Sequence, residues 1–114
     1  MPQNVHDFLQ ECISLIDNRK VDPFTNDPDN RNTLNMLGYS VRNMLQEIKE
    51  LKDSELFQGP VPDRSSKHPG DVWIFKKNIM GHLIYIKLKI RTIGSYKELF
   101  VMSFHPDRPQ QGGI

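Results

Sequence analysis

Residues 82–91 read His82-Leu83-Ile84-Tyr85-Ile86-Lys87-Leu88-Lys89-Ile90-Arg91. From Ile84 onward apolar and polar side chains alternate without a break, which is the period of a strand with one covered and one open face. Ile84, Ile86, Leu88 and Ile90 point to one side, and Tyr85, Lys87, Lys89 and Arg91 to the other. The first set demands an apolar layer to cover it. The second set makes a wet face that carries a phenol and a row of cations.

Working outward, Gly94-Ser95 fits a two-residue hairpin turn with glycine where φ is positive. Tyr96 to His105 then forms the next strand. Its apolar set is Phe100, Met102 and Phe104, opposed by Val101, Ser103 and His105. If both apolar sets face one core, His105 shares the outer face with Tyr85 and Lys87. Their separation depends on register, which the alternation alone does not fix. Upstream, Val72 to Lys77 is a third strand, joined to the central one by a turn over Asn78 to Gly81. Residues 59–71, with Gly59, Pro60, Pro62, Pro69 and Gly70, read as a loop of a length that often carries function.

The N-terminal half has helical spacing instead. Val5, Phe8, Leu9, Cys12, Ile13, Leu15 and Ile16 make one apolar stripe, with Asn4 as N-cap and Asp7 in the first turn. Residues 17–32 are turn-rich. Thr33 caps a short helical piece, Leu34 to Leu37, ended by Gly38. Ser40 caps a second main helix whose buried face is Val41, Met44, Leu45, Ile48 and Leu51. Asp53 or Ser54 starts one further turn containing Leu56 and Phe57. The expected fold class is α+β: N-terminal helices packed on one face of a C-terminal antiparallel β-sheet of at least three strands. Residues 1–105 make a single domain and 106–114 a loose C-terminal tail.

At 114 residues there is room for one domain, and 37% hydrophobic residues sustain a small core. A large multi-substrate enzyme is excluded. No apolar run approaches the ~18 residues of a membrane span, and Asp7 and Glu11 do not suit a secretory signal. The one cysteine, Cys12, lies on the apolar stripe and reads as a core residue; it permits no internal disulfide and no multi-thiolate zinc site. A reducing cytoplasm is the expected setting. No cofactor is implied, and His6, His68, His82 and His105 lack the spacing of a metal site.

Charge is uneven. Residues 1–52 carry six bases against eight acids, whereas 64–97 hold Arg64, Lys67, Lys76, Lys77, Lys87, Lys89, Arg91 and Lys97 against Asp71 alone. Such a field attracts phosphate or an acidic partner; the bland alternative is a solvated sheet face. With His105 and Tyr85 beside it, the face suits RNA cleavage. RNA brings its own nucleophile, the 2′-hydroxyl. The protein must supply a base, an acid for the leaving 5′-oxygen and cations for the crowded phosphorane. An imidazole such as His105 serves as acid or base near neutral pH. Tyr85 positions phosphate or assists the proton transfer. Lys77 and Lys87 stabilise charge, and Lys67, Lys76, Lys89 and Arg91 hold the RNA backbone. Trp73 is either a base-stacking ring or a core residue.

Several short motifs resemble one family. They are Leu51-Lys52-Asp53-Ser54-Glu55-Leu56-Phe57, Gly59-Pro60 with Asp63, Pro69-Gly70, Trp73-Ile74-Phe75-Lys76-Lys77, Gly81, Ile84-Tyr85-Ile86-Lys87-Leu88 and Met102-Ser103-Phe104-His105. In that order, over residues 51–105, they are similar to the MqsR (motility quorum-sensing regulator) toxins of type II toxin–antitoxin systems. The resemblance implies a RelE-like fold, an mRNA interferase that cuts single-stranded RNA without metal, and a cognate antitoxin protein as partner. It places the family's site tyrosine on Tyr85 and its C-terminal site base on His105. Gln58 and Ile74 stand where the best-known members carry lysine and glutamine, so no catalytic role carries over there. Lys77 matches a lysine of the closer group. The rival expectation is a non-catalytic module whose basic face docks RNA or an acidic protein. The nuclease reading leans on the two rings projecting side by side onto an open cationic floor; rings buried, or on opposite sides of the sheet, would end it in that form.

Overall fold

The computed structural model describes residues 4–64 and 67–108. Three helices precede most of the sheet: α1 (Val5–Asp17), α2 (Pro28–Leu37) and α3 (Val41–Lys49). The strands are β1 (Val21–Asp22), β2 (Leu56–Pro62), β3 (Asp71–Ile79), β4 (His82–Ile93) and β5 (Tyr96–Pro106). They form one sheet in the order β1-β5-β4-β3-β2, antiparallel except for the short parallel pair of β1 with β5. The α+β expectation therefore holds, with two strands more than the alternation revealed. No helix among the described residues is long and apolar enough to cross a membrane.

The helix starts follow local capping chemistry. The Asn4 side chain accepts from the Asp7 amide, and Ser40 and Asn43 exchange reciprocal hydrogen bonds at the start of α3. α2 begins earlier than expected: Asp27 caps it, with Pro28 in its first turn, so residues 28–32 are helix rather than loop. Phe8, Leu9, Cys12 and Leu15 of α1 and Met44 and Ile48 of α3 pack on Trp73, Phe75, Ile84, Ile86, Leu88, Leu99, Val101 and Phe104. Burial pushes the Cys12 thiol well up, as suits a core residue. Trp73 stacks on Phe8 at 4.5 Å between ring centroids, on the helix-covered face, and so is not a base platform.

Two departures from the expected sheet bear on the site. Leu56 and Phe57 open the edge strand β2, which runs to Pro62, so residues 59–62 of the supposed loop are strand, and Asp71 already belongs to β3. In β5 a bulge sets Met102 and Ser103 together against Lys87, between the Leu88–Val101 and Ile86–Phe104 pairs. The facing pattern therefore switches partway along the strand. Leu99, Val101 and Phe104 point to the core, while Phe100 and Met102 lie on the outer face, the reverse of the expectation for three of these residues. Downstream of the bulge the expected assignment of Phe104 inward and His105 outward stands.

Asn30, fully buried, explains how that bulged segment is held. β1 ends after pairing with Leu99 and Phe100, leaving the next edge groups of β5 without a strand partner. The Asn30 amide substitutes for one: it donates to Val101 O at 3.3 Å and accepts from Phe104 N at 2.8 Å. A single side chain on α2 thus satisfies backbone groups on both sides of the bulge. The tail is also less loose at its start than expected. Asp107 N donates to Leu83 O at 2.8 Å, and Arg108 pairs with Asp29 at 3.0 Å. The expected looseness of residues 109–114 falls outside the described residues.

Candidate active site on the outer sheet face

Tyr85 and His105 are direct cross-strand partners in the β4–β5 register. Their rings stack with centroids 5.2 Å apart and planes 14° from parallel. The juxtaposition expected from the sequence is present. The expected openness is not: Tyr85 is 3% and His105 4% exposed. Part of the reason is the row in which they sit. Lys76 lies opposite Tyr85 on β3, and its ammonium reaches Asp107, just past the end of β5, at 3.2 Å. That ion pair crosses β4 beside the phenol. Val72, Ile74 and Met102 pack with Tyr85 in a small apolar cluster of their own.

In its neutral form one tautomer of His105 fits its surroundings. Its Nδ1 lies 2.9 Å from Pro106 O, and a carbonyl can only accept, so Nδ1 carries the proton. The lone pair of the neutral ring is then on Nε2, the atom available as a base. The ring helps line a cleft of about 260 Å³ between α2 and the end of β5, together with Asp29, Asn32, Met36, Asp107 and Arg108. The Arg108 guanidinium, hydrogen-bonded to Asp29, holds that carboxyl below its usual range, and charge on His105 acts in the same direction. Asp107 Oδ1 is buried without a hydrogen-bond partner among the described residues. Asp29, Asp107 and Arg108 come from a turn-rich segment and a tail, and no periodicity or motif marks them in the sequence.

The cations separate into two groups. Lys77 lies on the helix-covered face, paired across to Ile84, and its ammonium contacts Glu47 Oε1 at 2.8 Å and Glu47 O at 3.2 Å. It is therefore not part of the Tyr85–His105 face. Lys76 is on that face but is held by Asp107 and sits 3.8 Å above the Phe57 ring. Lys89, 1% exposed, is an internal ion, paired with Asp63 at 3.1 Å and donating to His68 O. Arg91 is clamped between Asp22 at 2.9 Å and Glu98 at 2.7 Å, over the Phe100 ring. Lys97 pairs with Glu11. Three of the four expected RNA-holding residues, Lys76, Lys89 and Arg91, thus spend their charge inside the protein. The acids that neutralise them lie outside residues 64–97, so the local charge sum hid them.

The remaining cations of residues 64–97 are Arg64, Lys67 and Lys87, none of which has an ion-pair partner among the described residues. Lys67 is exposed at the loop, and Lys87 sits two residues along β4 from Tyr85 on the same face. His82 is exposed at the start of β4, and His6 lies 3.6 Å from Asp53, both away from the pair. Gln58 and Ile74 are neighbours in the β2–β3 register, and Ile74 is fully buried. Among the described residues no three His, Cys, Asp or Glu side chains are grouped to hold a metal ion. Comparison with family models, curated proteins and solved structures gives no match to this chain.

Proposed function

We propose that the chain is a metal-independent endoribonuclease acting on single-stranded mRNA in the cytoplasm. The observation that carries this reading is the Tyr85–His105 stack on the sheet face that α1 and α3 leave uncovered, beside Lys87, which has no ion-pair partner among the described residues. His105 Nε2 takes the proton of the 2′-hydroxyl as that oxygen attacks the adjacent phosphorus. The P–O5′ bond breaks, leaving a 2′,3′-cyclic phosphate and a 5′-hydroxyl once a proton reaches the leaving oxygen. Tyr85 orients the phosphate or passes that proton, and Lys87 offsets the phosphorane charge. Because both rings are nearly covered, substrate entry requires the Lys76–Asp107 bridge beside Tyr85 to part. The family resemblance adds the MqsR-like, RelE-like assignment and a cognate antitoxin protein as partner to this proposal.

The near-complete burial of Tyr85 and His105 favours a second reading, a non-catalytic module that docks RNA or an acidic protein. Incubating the purified protein with RNA, with and without a chelator, separates the two. Metal-independent fragments with 5′-hydroxyl ends support the enzyme; bound but intact RNA supports the module.

A further inference from the structure

A groove of about 440 Å³ on the outer face lies beside the Tyr85–His105 pair rather than over it. Its floor includes Val72 and Met102, and its polar margin is Lys87 on β4 and Arg64 on the loop. Asp63 also lines it, but that carboxylate pairs with Lys89. The volume lies within the range of small-molecule sites, which combine an apolar lining with a few placed polar groups.

The bulge in β5 creates this arrangement. Because Met102 and Ser103 both oppose Lys87, a thioether stands on the outer face beside the ammonium instead of joining the core. Val72, across on β3, completes an apolar surface in the same cluster. Among the described residues neither Lys87 nor Arg64 has an ion-pair partner, unlike Lys76, Lys89 and Arg91. An apolar lining beside two cations without an ion-pair partner among the described residues is complementary to a nucleobase carrying a phosphate. Methionine packs well on aromatic rings, and a guanidinium and an ammonium are the usual phosphate partners.

We propose that this groove seats one nucleotide of single-stranded RNA, with the base on Met102 and Val72 and its phosphate between Lys87 and Arg64. Lys87 is two residues from Tyr85 on the same face, about 7 Å along the strand, so the seated nucleotide adjoins the one being cut. The inference rests on the nuclease reading for its role, and on the groove alone for binding. The groove then sets which base stands next to the cleavage point.

The test uses the full chain with 13C-labelled methionine methyls and a dinucleotide carrying a 2′-deoxy group at the cleavage position. Inorganic phosphate and ribose 5-phosphate are the control ligands. The expected result is a saturable shift of the Met102 methyl with the dinucleotide and not with either control. Affinity should fall about 10-fold in Arg64→Gln and in Lys87→Gln. An unmoved Met102 methyl at millimolar dinucleotide, or wild-type affinity in both variants, overturns the proposal. If RNA is cut while Met102 stays unmoved, the groove assignment fails and the nuclease reading survives. A shifted Met102 without any cleavage reverses that outcome.

Discussion

Replacing Lys89 by methionine distinguishes an internal ion from an RNA-binding cation. The ammonium is 1% exposed, lies 3.1 Å from Asp63 and donates to the carbonyl of His68. It therefore ties Asp63 and His68 onto β4. Gly70 fits into the same contact: a Cβ there would sit 2.8 Å from Ile90 O and 3.2 Å from Lys89 Cε, at a φ of 148°. Methionine keeps most of the apolar stem, so the loss falls mainly on the charge. Breaking one side of a buried ion pair costs about 3–5 kcal/mol, because the other charge stays partly desolvated. For a chain of this size that is a fall in Tm of roughly 12–20 °C. Urea denaturation measures it, and Asp63→Asn in the Lys89→Met background should recover about 1 kcal/mol or more through the coupling of the pair. The salt dependence of RNA binding should not change. If Lys89→Met unfolds within about 0.5 kcal/mol of the wild type while its salt slope on single-stranded RNA drops by about 0.7, Lys89 contacts phosphate and the reasoning is refuted.

Three further outcomes are expected. Asn30→Ala removes both amide links to β5 and should cost about 2–4 kcal/mol in urea unfolding, since Phe104 N and Val101 O lose their partner; Asn30→Asp, which cannot donate to Val101 O, should be no milder. Burial pushes the Glu47 carboxyl up, but the hydrogen bonds from Lys77 and Tyr39 and the Lys77 charge outweigh it and hold it below the usual value of 4.5. Its contribution is then present above that pH and is lost as pH falls through the lower folded value, so Glu47→Gln should flatten the acid limb of stability against pH. The same contact holds the proton on Tyr39, raised to about 12 by its hydrogen bond to Glu47. Asp107→Asn loosens the partly buried bridge to Lys76, worth about 1 kcal/mol, and should raise RNA cleavage up to about 5-fold; a lowered rate assigns Asp107 to the chemistry instead of to closure.

What the sequence made legible, and what it did not, follows from the range of each interaction. The central strand and both main helices are local patterns, and their alternation and caps identify them directly. Tyr85 and His105 could be placed on one face because Ile84–Ile90 and Phe104 declare the core side. The bulge was hidden, because Phe100, Met102 and Phe104 alternate as cleanly as an unbroken strand, and the Leu99–Val101 set that actually faces inward is equally apolar. β2 escaped because Gly59, Pro60 and Pro62 read as turn residues, although an edge strand tolerates proline. The start of α2 was signalled by Asp27-Pro28, a cap followed by a first-turn proline, within a segment that otherwise looks like turns. Charge was the least legible feature: Lys76, Lys89 and Arg91 are neutralised by Asp107, Asp63, Asp22 and Glu98, most of them distant in sequence.

Digestion of a single-stranded RNA by purified wild-type and His105→Ala protein in EDTA tests the central claim most directly. The account predicts wild-type cleavage leaving 5′-hydroxyl ends. Loss of the imidazole should slow it by about 10²–10⁴-fold, with unfolding shifted by no more than the roughly 0.5–1.5 kcal/mol of the ring stack. Intact RNA with the wild type, or equal rates for the two proteins, contradicts it.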